Sequence, residues 1–268
     1  MDLKSIALKT NLILDNCFAS IIEHDEYLVV RSKNRPEYIW GNYLIMKSSP
    51  KKGDYKNWIN LFEKEFGTKN EKGFVAITFD TLDGSNSYFE DFRADGFDIQ
   101  ISKILIAKEV NLPPKMNSGI EIRPFSSESD WERYIDIHFT PNWGYGSDSE
   151  QKRFLKEEMN NFKKFTLQKN AKRFGAFLNG EMIAELGVYW KDGIARFNNV
   201  ATHRNYRRIG ACNTLVYHVS CFLLEKADIH TLVMEADEDY HAAKIYESVG
   251  FKPSQKLIAF EWVDENRY

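Results

Sequence analysis

The chain has 268 residues, 43% hydrophobic and 14% aromatic, enough apolar material for a packed core, which excludes wholesale disorder. Its length exceeds the roughly 100–200 residues of one ordinary domain, so two domains are expected. A formal net charge of −3 gives no general pull toward nucleic acid or an anionic membrane, and no apolar run approaches the roughly 20 residues needed to span a bilayer.

The opening stretch, MDLKSIALKTNLILDNC, lacks a small-residue cleavage site after an apolar core, and Asp2 and Asp15 interrupt it. A cytoplasmic protein is therefore expected. Cys17, Cys212 and Cys221 are an odd set with no close pair, and the histidines have no HxxxH spacing. This favours reduced thiols and no metal site.

Residues 3–20 read as helical and Tyr27–Arg31 as extended. Ile39–Lys47 reads as a strand, with Gly41-Asn42 marking a bulge. A helix is predicted over 54–66, where Trp58, Leu61, Phe62 and Phe66 recur at helical spacing. A strand at Phe74–Phe79, a helix over 86–94 and a strand from Phe97 to Ala107 follow. The run Asn111 to Gly119 contains Pro113-Pro114, which cannot continue a helix. It divides the chain into a first domain, 1–112, a linker, 113–119, and a second domain, 120–268.

In the second domain Ile120–Arg123 is a short strand, and Ser127 caps a helix reaching about His138. The loop Thr140–Gly146 carries Trp143 and Tyr145, whose rings suit an apolar or cationic ligand. Ser147-x-x-Glu150 is a capping box opening a helix with Leu155, Met159 and Phe162 on one face. Asn179-Gly180 and Asp192-Gly193 punctuate three strands, Arg173–Leu178, Glu181–Trp190 and Ile194–Val200. A helix over 210–226, a strand at Thr231–Ala236, a helix over 240–249 and a strand over 257–263 complete a mixed, twisted α/β sheet.

The stretch most informative about chemistry is Asn198 to Cys212, where a strand gives way to a basic turn and then to a helix. Such a helix N-terminus presents unpaired N–H groups and the positive end of the dipole, which suits a phosphate or pyrophosphate. Gly210 permits close backbone approach, and Arg207 and Arg208 add charge and directional donors. GxxxxGK[ST] is absent, so this is not a Walker loop. Taken alone, the arginines could equally form a solvated basic turn.

Here Arg207-x-x-Gly210-x-Cys212 resembles the pyrophosphate loop R/Q-x-x-G-x-G/A of the GNAT N-acetyltransferase superfamily, with Cys212 where glycine or alanine is usual. Farther on, Asp239 to Phe251 is similar to the family pattern N-x-x-A-x-x-x-Y-x-x-x-G-F. Asp239 replaces the asparagine, the alanine aligns at Ala242 or Ala243, and the Tyr246–Gly250–Phe251 spacing is intact. The resemblance covers about residues 120–263 and implies an acyl-CoA N-acyltransferase fold. It implies acetyl-CoA held in a split between strands 194–200 and 231–236, with no metal. Backbone near Val200 and Thr202 would meet the pantetheine arm. Arg207, Arg208, Ile209, Gly210, Ala211 and Cys212 would cradle the pyrophosphate, with Asp239 and Ala242 contributing from the second motif.

It further implies direct attack by a small-molecule or peptide amine, with Tyr246 as the acid for the leaving thiolate or, alternatively, as a packing residue. For the general base the sequence offers Glu185, which an alternating strand could equally turn to solvent, then Asp136 or His138, or a water relay. A CoA-binding sensor without turnover is the competing reading, and a homodimer is compatible with the sequence. The order of elements over 39–107, with Trp40-Gly41-Asn42 and Gly96-Phe97, repeats that of 194–263. This resembles GNAT-like proteins in which a degenerate N-terminal domain precedes the catalytic one. Its turn Ser48–Gly53 lacks the loop motif, and Pro50 has no N–H to donate.

Overall fold

The Ser5 hydroxyl accepts from the Leu8 amide and starts α1 (Ile6–Phe18). Strands β1 (Ala19–Glu23), β2 (Tyr27–Ser32) and β3 (Asn42–Met46) then pair antiparallel in succession. Next come α2 (Asp54–Phe66), α3 (Lys69–Lys72), β4 (Phe74–Phe79), α4 (Glu90–Ala94) and β5 (Asp98–Ala107). After β6 (Glu121–Pro124), two capping boxes, Ser127 with Asp130 and Ser147 with Glu150, open α5 (Glu128–His138) and α6 (Asp148–Thr166). Strands β7 (Ala171–Leu178), β8 (Glu181–Lys191) and β9 (Ile194–Thr202) form a meander. Its turns, Asn179-Gly180 and Asp192-Gly193, have positive φ at all four residues, the geometry that matches strand twist in two-residue hairpins. The chain ends with α7 (Ala211–Leu224), β10 (Thr231–Asp237), α8 (Ala242–Val249) and β11 (Lys252–Val263). This computed structural model describes residues 2–32, 34–141, 147–226, 228–238 and 242–264.

The chain forms two compact units. One comprises Met1–Ile104 with Glu235–Asp239 and Ser254–Tyr268, the other Leu105–Met234 with Tyr240–Pro253. In the first, the strand order is β1-β2-β3-β4-β11-β5, with β3 and β4 parallel and β4 and β11 antiparallel. Its core is aromatic: Phe260 of β11 stacks on Phe92 with ring centroids 4.0 Å apart, and Trp58, Phe79 and Phe89 pack around it. Trp40 ties β11 down by donating to Glu261 at 2.7 Å. These contacts place the last strand in the first unit, unlike the contiguous division at 112 and 120 that Pro113-Pro114 suggests. The expected bulge at Gly41-Asn42 is instead the end of a 3-10 turn, Ile39–Gly41, where the Asn42 amide group donates to the carbonyls of Arg35 and Tyr38.

The second unit orders its strands β10-β9-β8-β7-β6, with only the β9–β10 pair parallel. The stretch expected to be a linker is anchored in this unit. Asn117 donates from its side chain to the Ile209 carbonyl and from its amide to Thr214 Oγ1, both at 3.0 Å. At the end of α8, Gly250 (φ +116) lets Phe251 N–H reach the Tyr246 carbonyl at 3.2 Å, a Schellman-type closure that turns the chain into β11.

Candidate active site

Strand β9 pairs with β10 over three positions only, Ile194 with Thr231, Ala195 with Leu232 and Arg196 with Val233. Phe197 and Met234 continue in strand without pairing, so β9 has a free edge from Phe197 onward on that side. At the same level β9 gains a residue against β8. Glu185 faces Ala201 while Gly187 faces Asn198, so Asn199 and Val200 together oppose Leu186. Asn199 takes φ +48, a conformation asparagine tolerates better than most residues. A bulge bends its strand and increases local twist, which lifts Asn199 and Val200 out of the β8 ladder before Ala201 and Thr202 rejoin it opposite Glu185 and Ala184.

Beyond Thr202, His203 caps a short 3-10 turn, Arg204–Tyr206, and the chain enters α7 through Arg208 (φ +68) and Gly210 (φ +85). Gly210 is the N-cap and has no side chain to satisfy the first turn, so the Ala211, Cys212 and Asn213 amides remain available donors. The fit requires glycine, because a Cβ there would lie 2.8 Å from the Lys115 carbonyl oxygen. Arg207 and Arg208 are exposed, as is Ile209, whereas Ala211 is buried. Cys212 keeps partial solvent contact as a residue, yet burial around its thiol pushes the pKa up to about 12. It is therefore a small apolar residue in this helix and not a nucleophile. Arg204 and Arg207 border a cleft of about 320 Å³ that also includes His203 and Arg133. Burial and then the Arg133 and Arg204 charges lower the His203 pKa, which marks the region as electropositive.

A second cavity, about 390 Å³, opens beside the bulge and is lined by His138, Gln151, Phe154, Glu158, Asn199 and Val200. Behind it lies Glu185, fully enclosed, whose carboxylate meets Arg173 Nε at 2.8 Å and Nη2 at 2.7 and 2.6 Å. His138 Nε2 approaches the same carboxylate at 2.5 Å. Burial opposes the Arg173 charge, but Glu185 outweighs it and leaves the guanidinium pKa raised. The guanidinium also stacks over Tyr134 and Phe162, at 4.8 and 4.6 Å. Tyr134 donates to Glu158 Oε2 at 2.6 Å, and burial, reinforced by the Glu158 charge, raises its pKa.

The solvent-facing alternative for Glu185 is overturned. Strand β8 is buried on both faces from Met182 to Trp190, so alternation does not bring that residue to the surface. Nor is its carboxylate a free base, since Arg173 neutralises it. The structure brings Val200, Thr202, Arg207, Arg208, Ile209, Gly210, Ala211 and Cys212 into one continuous strand–turn–helix segment. Ala242 begins α8 and is buried, as is Tyr246, whose ring meets Phe251 edge-on at 6.5 Å. Asp239 and the aromatic loop residues Trp143 and Tyr145 lie outside the described residues. Asp136 is directed to Arg133 at 3.4 Å. Sequence reasoning missed Arg173, Tyr134 and Glu158. A regular hairpin closed at Asn179-Gly180 would set Arg173 opposite Leu186; the register shift at Ala176 and Phe177 sets it opposite Gly187, on the same face as Glu185.

Residues 145–266 match the family model described as an acetyltransferase (GNAT) domain. No protein of curated function matches the chain. Among solved structures, a functionally unknown conserved protein from Staphylococcus epidermidis superposes with a TM-score of 0.69 at 14% identity, covering 92% of this chain and 94% of that one. A GCN5-related N-acetyltransferase from Kribbella flavida gives 0.65 at 10% identity, with 96% of each chain covered. A tandem GNAT protein from the clavulanic acid biosynthesis pathway gives 0.52 at 11% identity, over 80% of this chain and 70% of that one. At such identities these likenesses establish the fold alone, a GNAT fold, and residues 145–266 are the part of the chain that matches the acetyltransferase (GNAT) domain model.

Proposed function

We propose that the protein is an acetyl-CoA-dependent N-acetyltransferase acting on a primary amine. The observation that carries this reading is the parting of β9 from β10 after Arg196 and Val233, directly ahead of a glycine-capped helix N-terminus. The free β9 edge offers N–H and C=O groups near Val200 and Thr202 to the amides of a pantetheine arm. The open amides of Ala211, Cys212 and Asn213, with Arg207 and Arg208, suit a pyrophosphate by charge and by donor number. Asp239 and Ala242 stand where the family pattern borders the cofactor. Gly210 is needed for the turn to close, because a Cβ there would clash with the Lys115 carbonyl oxygen at 2.8 Å.

Holding amine and thioester in contact supplies much of the rate enhancement such a transfer needs, and backbone N–H groups can stabilise the oxyanion. Tyr246 is proposed as the acid for the departing sulfur. Moving a proton from a phenol near pKa 10 to a thiolate near 8.5 costs only about 2 kcal/mol. The segment 1–112 is proposed as a degenerate GNAT-like partner of the catalytic segment 120–268, whose last strand lies in the first unit, in a cytoplasmic enzyme. In that partner β3 and β4 stay paired to Met46 and Phe79, and Asp80 N–H closes on the Met46 carbonyl at 2.8 Å, so no split forms. Gly53 opens α2 as Gly210 opens α7, but the Asp54 carboxylate already accepts from Lys51 N–H at 2.8 Å where an anion would sit. The test is release of free CoA thiol from acetyl-CoA over a panel of amines. Amine-dependent release with acetyl-amine product is expected, and release that is the same with and without amine would overturn the assignment.

A further inference from the structure

We propose that the cavity beside the β9 bulge is the acceptor site, that it selects a cationic amine through Glu158, and that His138 takes the amine proton. The inference rests on the N-acetyltransferase reading and adds to it a base and a substrate class. His138 closes α5, and 17% of its side chain remains exposed. Its Nε2 is committed to Glu185, which is wholly enclosed. Nδ1 is therefore the ring nitrogen left to accept a proton. Glu185 and Arg173 act as positioning residues: the carboxylate fixes the tautomer and stabilises the imidazolium once formed, and the guanidinium holds that carboxylate in place through Nε and Nη2.

The charged and titratable groups around His138 come from four elements. Tyr134 from α5 lies with its ring 4.4 Å from the imidazole, Glu185 comes from β8 and Arg173 from β7 behind it, and α6 contributes Glu158. From β9 only neutral residues reach the cavity, Asn199 among them. Glu158 accepts from two neutral donors, Tyr134 at 2.6 Å and Asn199 at 3.4 Å, and makes no ion pair among the described residues. The Arg173 guanidinium feels the Glu158 charge but is hydrogen-bonded to Glu185, so Glu158 lines the cavity with no cation in contact among the described residues, and an ammonium group is its natural complement.

The bound ammonium gives one proton to His138 Nδ1, and the freed lone pair forms a C–N bond to the thioester carbonyl carbon. The C–S bond then breaks with its electron pair on sulfur, the nitrogen sheds its second proton, and the thiolate is protonated. The products are the N-acetyl amine, free CoA thiol and one proton, which His138 returns to water.

The experiment uses the full chain with His138→Gln and Glu158→Gln. Glutamine at 138 can still donate to Glu185 but has no basic nitrogen. Calorimetry measures CoA binding, then binding of 1,4-diaminobutane or glutamate to the CoA complex, and thiol release gives kcat and KM against pH. Unchanged CoA affinity is expected in both variants. Diaminobutane should bind the wild-type complex and glutamate should not. E158Q should raise KM for the diamine at least tenfold with kcat largely kept. H138Q should lower kcat by about 10²–10⁴-fold and abolish the acid limb of the pH profile. Wild-type kcat in H138Q, preference for glutamate, or a CoA complex that neither binds nor acetylates the diamine would overturn this proposal while leaving the cofactor site standing. Absence of CoA binding in the wild type would instead remove the reading on which it rests.

Discussion

Gly210 and Gly53 allow the cofactor loop to be tested with its own control. Both are N-caps in left-handed conformation, at φ +85 and +94. A Cβ at position 53 would meet nothing within 4 Å, whereas at 210 it would lie 2.8 Å from the Lys115 carbonyl. That carbonyl cannot yield easily, because Asn117 two residues on is bonded to Ile209 and Thr214. Gly53→Ala should therefore cost only the left-handed penalty, about 1–2 kcal/mol. Gly210→Ala should add a steric term of about 1–3 kcal/mol, for a total of roughly 2–5 kcal/mol. It should also displace the amides of Ala211 and Cys212. Urea denaturation measures the first effect and CoA titration the second. Equal destabilisation by the two substitutions, or full CoA affinity in Gly210→Ala, would refute the reasoning.

Tyr246→Phe should lower kcat by about 10²–10⁴-fold with little change in CoA affinity; wild-type kcat would reduce Tyr246 to a packing residue. Arg173→Met should destabilise the chain by about 3–5 kcal/mol by leaving Glu185 buried and unpaired, and adding Glu185→Leu should recover most of that loss in the same denaturation assay. Asp15 has its pKa raised to about 7, by burial first and against the Tyr43 hydrogen bond. The folded state thus holds this proton more tightly than the unfolded chain. Its contribution is present below about pH 4 and is lost as pH rises through about 7, by at most about 4 kcal/mol, less because Asp15 keeps some exposure. Asp15→Asn should accordingly be more stable than wild type at pH 8 and not at pH 4, and a pH-independent difference would count against this.

Elements with local chemical punctuation were legible in the sequence. The capping boxes at Ser127 and Ser147 and the turns Asn179-Gly180 and Asp192-Gly193 satisfy their own backbone demands within a few residues, so α5, α6 and the β7–β9 meander form where expected. Strand β1 was not, because Ser20, Ile22 and Glu23 are exposed and its alternation is weak after a helix. Helix α4 starts at Glu90, later than the periodicity suggests, since Asn86 takes φ +61. The passage from β9 through a basic turn into α7 could be read from residue types, because a helix N-terminus opened by glycine is a local device. The cluster beside the β9 bulge could not: Glu185, Arg173, His138 and Glu158 come from four elements, and their pairing depends on register and on coverage of both faces of β8. The β9 bulge left no mark beyond Asn199, one asparagine in an ordinary strand.

The central claim, one acyl-CoA site at the β9–α7 segment, is tested most directly by calorimetric titration of the full chain with acetyl-CoA, repeated with Arg207→Glu. The account predicts one site per chain, with affinity sharply reduced in the variant because a carboxylate then stands beside the pyrophosphate. Two equivalent sites, or unchanged affinity in Arg207→Glu, would contradict it.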